Sequence, residues 1–273
     1  MAINIKPVAN HREREKGVIV YPVYSRRSAG LSVGINLFPG KKTCAFNCPY
    51  CEVFPFSSNA GFSLEQMQTG LRTAITSAQE QNIPVKDICF SGNGEPTLSP
   101  AFADAFKLAE DIRAQTEASA QLVIITNGTG LLEPHIFTLL KEAALNPSVN
   151  IWLKIDAGTS SWYEKINRSA IPFNELTEKK KEFTALAPVT IQTMLCAVGE
   201  SAPSQTEEKA WETLVCELAA NKIYKVQLYG KARPAPEDPL ASGLPLEYLE
   251  KRAASLRQAF FKLGITTPVE VYL

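Results

Sequence analysis

From Gly61 onward the chain alternates short β-rich runs with amphipathic stretches, the pattern of a parallel sheet crossed by helices. The predicted strands are Leu31 to Phe38, Asp87 to Ser91, Gln121 to Asn127, Val149 to Asp156, Val189 to Cys196 and Tyr224 to Gly230. Ser63, three residues before Gln66, is a capping-box start for a helix reaching Gln81, and Pro100 is expected to open the next. Further helices are expected over Glu133 to Ala144, Phe173 to Leu186, Thr206 to Ala220 and Leu246 to Leu263. Six βα units without an internal linker point to a barrel or open barrel, with chemistry at the carboxyl ends of its strands.

Strand parity adds to this. Successive side chains point to opposite faces, so Ile151, Leu153 and Ile155 oppose Trp152, Lys154 and Asp156. Likewise Ile191, Thr193 and Leu195 oppose Gln192, Met194 and Cys196, and Val226 and Leu228 oppose Gln227 and Tyr229. A closed, packed barrel would fill its interior with branched apolar residues. One face here carries polar groups at matching depths, as expected of a lumen that holds a ligand.

The 273 residues are 45% hydrophobic, enough for a sizeable core and too apolar for disorder. Lys plus Arg and Asp plus Glu number 28 each, so no global field draws the chain toward nucleic acid or an anionic membrane. The charged start, with His11, Arg12, Glu13, Arg14, Glu15 and Lys16, does not read as a signal peptide, and no apolar run approaches the roughly 20 residues of a membrane span. A cytoplasmic location is expected. Six cysteines in such a chain point to metal or redox chemistry rather than a disulfide framework.

Three of the six, Cys44, Cys48 and Cys51, fall within eight residues of a loop that follows a strand. Thiolates so placed suit zinc or an iron–sulfur cluster. Structural zinc wants a fourth protein ligand, and neither histidine, His11 or His135, is near the triad in sequence. A cluster with three protein ligands and one open iron makes better sense of the count.

The segment Cys44-Ala45-Phe46-Asn47-Cys48-Pro49-Tyr50-Cys51, with an aromatic before its last cysteine, resembles the radical S-adenosylmethionine superfamily. Phe90-Ser91-Gly92-Asn93-Gly94-Glu95-Pro96-Thr97 resembles that superfamily's glycine-rich, acid-ended loop. Pro22 to Arg27, Gly92 to Leu98 and Arg233-Pro234 further resemble iron–sulfur oxidoreductases related to the tRNA wybutosine-synthesis radical enzyme, over residues 18 to 240. Those tRNA-modifying relatives carry a second cysteine set toward the amino terminus, and residues 1 to 43 here contain no cysteine. The resemblance implies an α/β fold, a partial (β/α)6 TIM-like barrel. Residues 31–240 would form its core, 1–30 an extension packing on it, and 241–273 a helix and short strand completing the same domain.

The resemblance also implies roles. Cys44, Cys48 and Cys51 would hold a 4Fe-4S cluster whose open iron chelates S-adenosylmethionine, reductively cleaved to a 5′-deoxyadenosyl radical that abstracts hydrogen from a substrate. Glu95 would accept hydrogen bonds from the cofactor's ammonium, Gly92, Asn93 and Gly94 would let backbone approach its methionine moiety, and Tyr50 would lie near adenine. Asn127 and Asp156 end strands where ribose or carboxylate contacts are expected, Lys154 would neutralise the carboxylate, and Gln192 and Tyr229 share the lumen face. For Asn127-Gly128 the competing reading is a simple turn, and for Asp156 a helix cap or an ion pair with Lys154. Arg26, Arg27 and Arg233 are candidates for an anionic substrate group, against a reading as solvated arginines. Cys196 is the candidate hydrogen donor, against a reading as a small buried hydrophobe. Lys179-Lys180-Lys181 reads as a solvated helix face.

The expected partners are a small-molecule or peptide substrate and an electron donor such as flavodoxin or ferredoxin, with no membrane and with nucleic acid disfavoured. Two other functions compete: an RNA-modifying radical enzyme of the wybutosine type, and a zinc-stabilised binding module without catalysis.

Overall fold

The structure is a computed structural model that describes residues 17–53, 55–233, 235 and 240–273. In chain order its elements are β1 (Val20–Ser25), β2 (Gly30–Ile35), α1 (Leu64–Glu80), β3 (Val85–Phe90), α2 (Phe102–Thr116), β4 (Gln121–Thr126), α3 (Pro134–Ala144) and β5 (Val149–Lys154). There follow α4 (Ser160–Ile166), α5 (Phe173–Leu186), β6 (Val189–Val198), α6 (Gln205–Ala219), β7 (Ile223–Gly230), β8 (Ala241–Gly243), α7 (Leu246–Leu263) and β9 (Val269–Tyr272). Among the described residues, no helix is long and apolar enough to cross a membrane.

The chain divides into two compact units. The first takes in residues through Cys44, Pro55–Ile125 and Asn146–Asn150, and the second Ala45–Phe54, Thr126–Leu145 and Ile151–Leu273.

In the first unit β1 runs antiparallel to β2, and β2, β3 and β4 run parallel in that order. Pro22, which cannot donate to a ladder, is tolerated because β1 is an edge strand paired only to β2. That proline hides the strand from pattern reading. Ser63 caps α1 as expected, its hydroxyl accepting from the Gln66 amide at 3.3 Å. Met67, Leu71, Ala74, Ile75 and Ala78 form the buried stripe of α1. Pro100 does not begin α2. The chain first turns at Ser99, whose carbonyl accepts from Phe102 N at 3.0 Å, and the helix starts at Phe102. Phe90 on β3 meets Phe102 and Phe106 of α2 at centroid distances of 5.6 and 6.3 Å.

The other face of this sheet is polar and buried. Ser32 Oγ donates to Asp87 Oδ1 at 2.5 Å, and the Tyr21 and Ser91 hydroxyls share a hydrogen bond at 2.7 Å. Burial raises the Asp87 carboxyl above its usual range, against the pull of the Ser28 and Ser32 hydroxyls and the Arg27 charge.

In the second unit β5, β6, β7 and β9 run parallel in that order, while β8 pairs antiparallel with the end of β6. Register aligns Lys154 with Gln192, Gln192 with Gln227 and Gln227 with Glu270, so the parity expected from sequence becomes a polar row across four strands. Helix α6 covers the opposite face, where the Trp211 indole donates to the Ile155 carbonyl at 3.0 Å.

Helix α5 departs from expectation. Lys180 is buried rather than solvated, because Leu176, Lys180, Phe183 and Thr184 recur on one face at helical spacing. Its ammonium donates to the Lys154 carbonyl at 2.8 Å. The short helix α4 was invisible to periodicity, since seven residues span about two turns.

Candidate functional site

In the first unit the glycine-rich loop follows β3 and is stitched to the backbone that leads into the cysteines. Thr43 N donates to the Asn93 carbonyl at 3.0 Å, and Glu95 N donates to the Thr43 carbonyl at 2.9 Å. Gly92 has φ +123°, accessible essentially to glycine alone, and a Cβ on Gly94 would lie 1.8 Å from the Thr43 carbonyl oxygen. Both glycines are therefore geometric requirements. Asn36 organises the loop from below, its Oδ1 accepting from the amides of Phe38 and Asn93 at 3.1 Å each. Asn36 lies just past the end of β2, within the strand expected from Leu31 to Phe38. Its only signal was a polar residue at a strand end.

Glu95 is buried and caps the short turn Pro96–Leu98, with Oε1 accepting from the Thr97 hydroxyl at 2.6 Å and the Thr97 amide at 3.3 Å. Arg26 and Arg27 occupy the turn between β1 and β2, at the amino-terminal end of β2. The Gly92–Glu95 loop lies beyond the carboxyl end of the parallel strand β3, so the structure does not bring this arginine pair to Glu95.

In the second unit the cysteine loop is anchored by Phe46, buried edge-on against Tyr163 at 5.6 Å. Asn47 N donates to the Asn167 carbonyl at 2.9 Å. Behind the loop stands a charged cluster. Tyr50 donates to Asp156 Oδ2 at 2.5 Å, Asn167 Nδ2 donates to the same oxygen at 3.0 Å, and Met194 N donates to Oδ1 at 3.0 Å. Lys154 lies 3.2 Å from Asp156 Oδ1, donates to the Tyr229 hydroxyl at 2.5 Å and sits 5.0 Å from the ring centroids of both Tyr50 and Tyr229. The helix-cap alternative for Asp156 falls away, since the cap of α4 is Thr159.

The electrostatics of this cluster follow from its contacts. Burial works against the Asp156 charge, but Lys154 and three hydrogen-bond donors outweigh it and hold the carboxyl below its usual range. Burial likewise opposes the Lys154 charge, and Asp156 and Tyr229 outweigh it. Cys48 is pushed up to about 11 by burial and the neighbouring Asp156.

Gln192 and Gln227 are both fully buried, and Gln192 Nε2 donates to Gln227 Oε1 at 2.7 Å. Gln192 Oε1 and Gln227 Nε2 have no hydrogen-bond partner. Asn127 uses Oδ1 to accept from Thr129 N at 2.9 Å, a local turn that Gly128 continues at φ +85°. Arg233 pairs with Glu52, the residue after Cys51, at 2.7 Å. Both partners of this pair are part-exposed. Cys196 is buried beside β8, and burial pushes its thiol up to about 12.

None of the six cysteines is in a disulfide, and Cys44, Cys48 and Cys51 are each part-exposed. Three soft donors in one short loop fit an iron–sulfur cluster in the chemistry of the donor set. Among the described residues no three His, Cys, Asp or Glu side chains converge as the ligand set of one metal ion.

Both units are mostly parallel α/β layers with their polar groups on strands and post-strand loops. The solved structures that resemble this chain show the same fold, the α/β partial barrel of radical SAM enzymes. A radical SAM methyltransferase from Sphaerobacter thermophilus matches 93% of this chain and 69% of its own with a TM-score of 0.65, at 15% identity. Streptococcus suis SuiB, solved with S-adenosylmethionine bound, matches 85% of this chain and 48% of its own with a TM-score of 0.65, at 14% identity. TYW1, solved with a lysine-pyruvate adduct, matches 83% of this chain and 73% of its own with a TM-score of 0.52, at 15% identity.

No protein-family model matches the chain. Among curated proteins, a UPF0026 protein of Helicobacter pylori is 32% identical over 136 residues, covering 47% of this chain and 41% of its own length. UPF0026 protein slr1464 of Synechocystis is 29% identical over 225 residues, covering 79% of this chain and 76% of its own. The match to the Helicobacter relatives thus spans about two fifths of their length.

Proposed function

We propose that this protein is a radical SAM enzyme in which Cys44, Cys48 and Cys51 hold a 4Fe-4S cluster. The observation that carries the reading is the backbone stitching of the Gly92–Glu95 loop to Thr43, the residue before Cys44. Residues Cys44, Cys48 and Cys51 would hold a cluster whose chemistry is the one-electron reductive cleavage of S-adenosylmethionine to methionine and a 5′-deoxyadenosyl radical.

The chain's own residues bind and orient. Glu95 accepts from the methionine ammonium, with Thr97 fixing one oxygen of its carboxylate. Gly92, Asn93 and Gly94 offer backbone that no side chain obstructs. Lys154, kept cationic by Asp156, meets the methionine carboxylate. Tyr50 and Tyr229 flank the nucleoside, while Asn127 and Asp156 are its polar contacts. Gln192, paired to Gln227, lies in register with Lys154 on the same polar row. Cys196 would give a hydrogen atom to a substrate radical, the thiyl radical left behind regaining an electron from the flavodoxin or ferredoxin and a proton from solvent, and Arg233 with Glu52 borders the substrate. Arg26 and Arg27 remain candidates only for a group that reaches the amino-terminal end of β2.

The substrate is a small molecule or peptide, and the electron comes from a flavodoxin or ferredoxin. SuiB has been solved with a precursor peptide bound, a likeness of fold that supports the peptide class. Relation to the wybutosine-synthesis group is supported by the Pro22–Arg27 and Arg233-Pro234 motifs and by the likeness to TYW1, although Pro234 lies outside the described residues.

Anaerobic reconstitution tests the reading. About four irons and four sulfides per chain are expected by analogy with such clusters, and Cys44→Ala, Cys48→Ala and Cys51→Ala should each lose them while staying folded. Dithionite-reduced wild type should convert S-adenosylmethionine to 5′-deoxyadenosine and methionine above the Cys51→Ala background. One zinc per chain with no iron would sink the proposal in favour of a zinc-stabilised module.

A further inference from the structure

We propose that Asn167 is a positioning residue that sets the reduction potential of a cluster held through Cys48, an inference that rests on the cluster reading above. Asn167 ends α4, is only 2% exposed and has no counterpart among the motifs read from sequence. Its Nδ2 carries two hydrogens and has two acceptors, Asp156 Oδ2 at 3.0 Å and Cys48 Sγ at 3.6 Å. Its carbonyl accepts from Asn47 N at 2.9 Å. One residue therefore grips the backbone just before Cys48, the Cys48 sulfur and the buried acid.

The grip is braced along the whole of α4. Asn167 N donates to the Tyr163 carbonyl at 2.9 Å, and Arg168 then takes a left-handed φ of +48°, turning the chain away. At the other end of α4, Thr159 donates to Glu207 Oε2 at 2.5 Å and caps Trp162 N at 3.2 Å. Phe46 packs on Tyr163 in the middle of that short helix. Both the donor and the loop that carries the sulfur thus pack on the same short helix.

The chemical consequence follows from charge. One-electron reduction places more negative charge on the cluster and its sulfur ligands, so an N–H pointed at a ligand sulfur stabilises the reduced form more than the oxidised one. The bond raises the potential, which makes reduction by a low-potential donor easier. Asp156 acts in the opposite sense as a nearby negative charge, countered by Lys154 at 3.2 Å. Because Asn167 binds both groups, a ligand that draws on Asp156 also changes the hold on Cys48.

The test compares anaerobically reconstituted full-length wild type with Asn167→Leu, Asn167→Asp and Asn167→Gln, scoring iron and sulfide content and an EPR-monitored redox titration. The Leu variant, without a donor, should be about tenfold less reduced at a fixed poise, about 59 mV more negative for one electron. The Asp variant, which adds a carboxylate beside Cys48, should shift further in the same direction, and the Gln variant, which keeps the amide donor, should lie nearest wild type. Iron-loaded Leu and Asp variants that titrate with wild type would overturn the inference. Loss of iron from all three variants would overturn it too, because a purely structural role then accounts for Asn167. Wild type that binds no iron would instead defeat the cluster reading itself, a failure distinct from equal potentials in loaded proteins.

Discussion

At Glu95 one carboxylate meets two demands. It caps the turn that follows it through Thr97, and in the proposed function it also receives an ammonium group. Glu95→Ala should leave the iron content intact yet weaken S-adenosylmethionine binding. Losing a hydrogen bond to a charged group costs about 1.5 to 3 kcal/mol, or roughly 10- to 100-fold in affinity. Calorimetry on the reconstituted variant checks this, and unchanged affinity would remove Glu95 from the cofactor site. Glu95 was legible in sequence because its neighbours Gly92 and Gly94 advertise a tight turn. Asn167 and Asn36 were not, since asparagine at the end of a helix or strand is common and only its partners distinguish it. Lys180 was misread for a related reason: three consecutive lysines look solvated, and only the position of the helix shows which one points inward.

Among the elements, the loop from Gly92 to Glu95 has little tolerance of change. A methyl group on Gly94 meets backbone rather than a flexible side chain, so Thr43 must move and Cys44 with it. Gly94→Ala should lower the unfolding free energy by about 3 kcal/mol, the upper end of the usual cost of overpacking. Urea denaturation and iron content should fall together, and a stable variant with full iron would show that the loop yields. Most parallel strands were legible because each is a short β-branched run followed by a helix of clear period. Strand β1 escaped through Pro22 and α4 through its length, yet α4 carries Asn167 and so bears on the site.

For the whole molecule the balanced charge has a measurable consequence. With 28 basic and 28 acidic residues the chain lacks the excess of phosphate-binding cations that drives nucleic-acid association. Folded tRNA should bind weakly near physiological salt in an electrophoretic or fluorescence assay. Submicromolar, salt-sensitive binding with S-adenosylmethionine-dependent change in one base would restore the RNA-modifying reading. Charge balance is a property of composition, so this expectation needs no structure.

The sequence by itself determined the βα alternation, the two-faced strands, the three closely spaced thiolates and, separately, the glycine-rich loop ending in Glu95, because each is a local pattern of side-chain type and spacing. Tertiary structure decided the partners. It joined Gly94 to Thr43 and placed Asp156 among Tyr50, Lys154 and Asn167. It also set Arg233 on Glu52 and left Arg26 and Arg27 at the amino-terminal end of their strand. These choices depend on strand register and on where short helices end, and residues far apart in the chain acquire neighbours only when both are fixed.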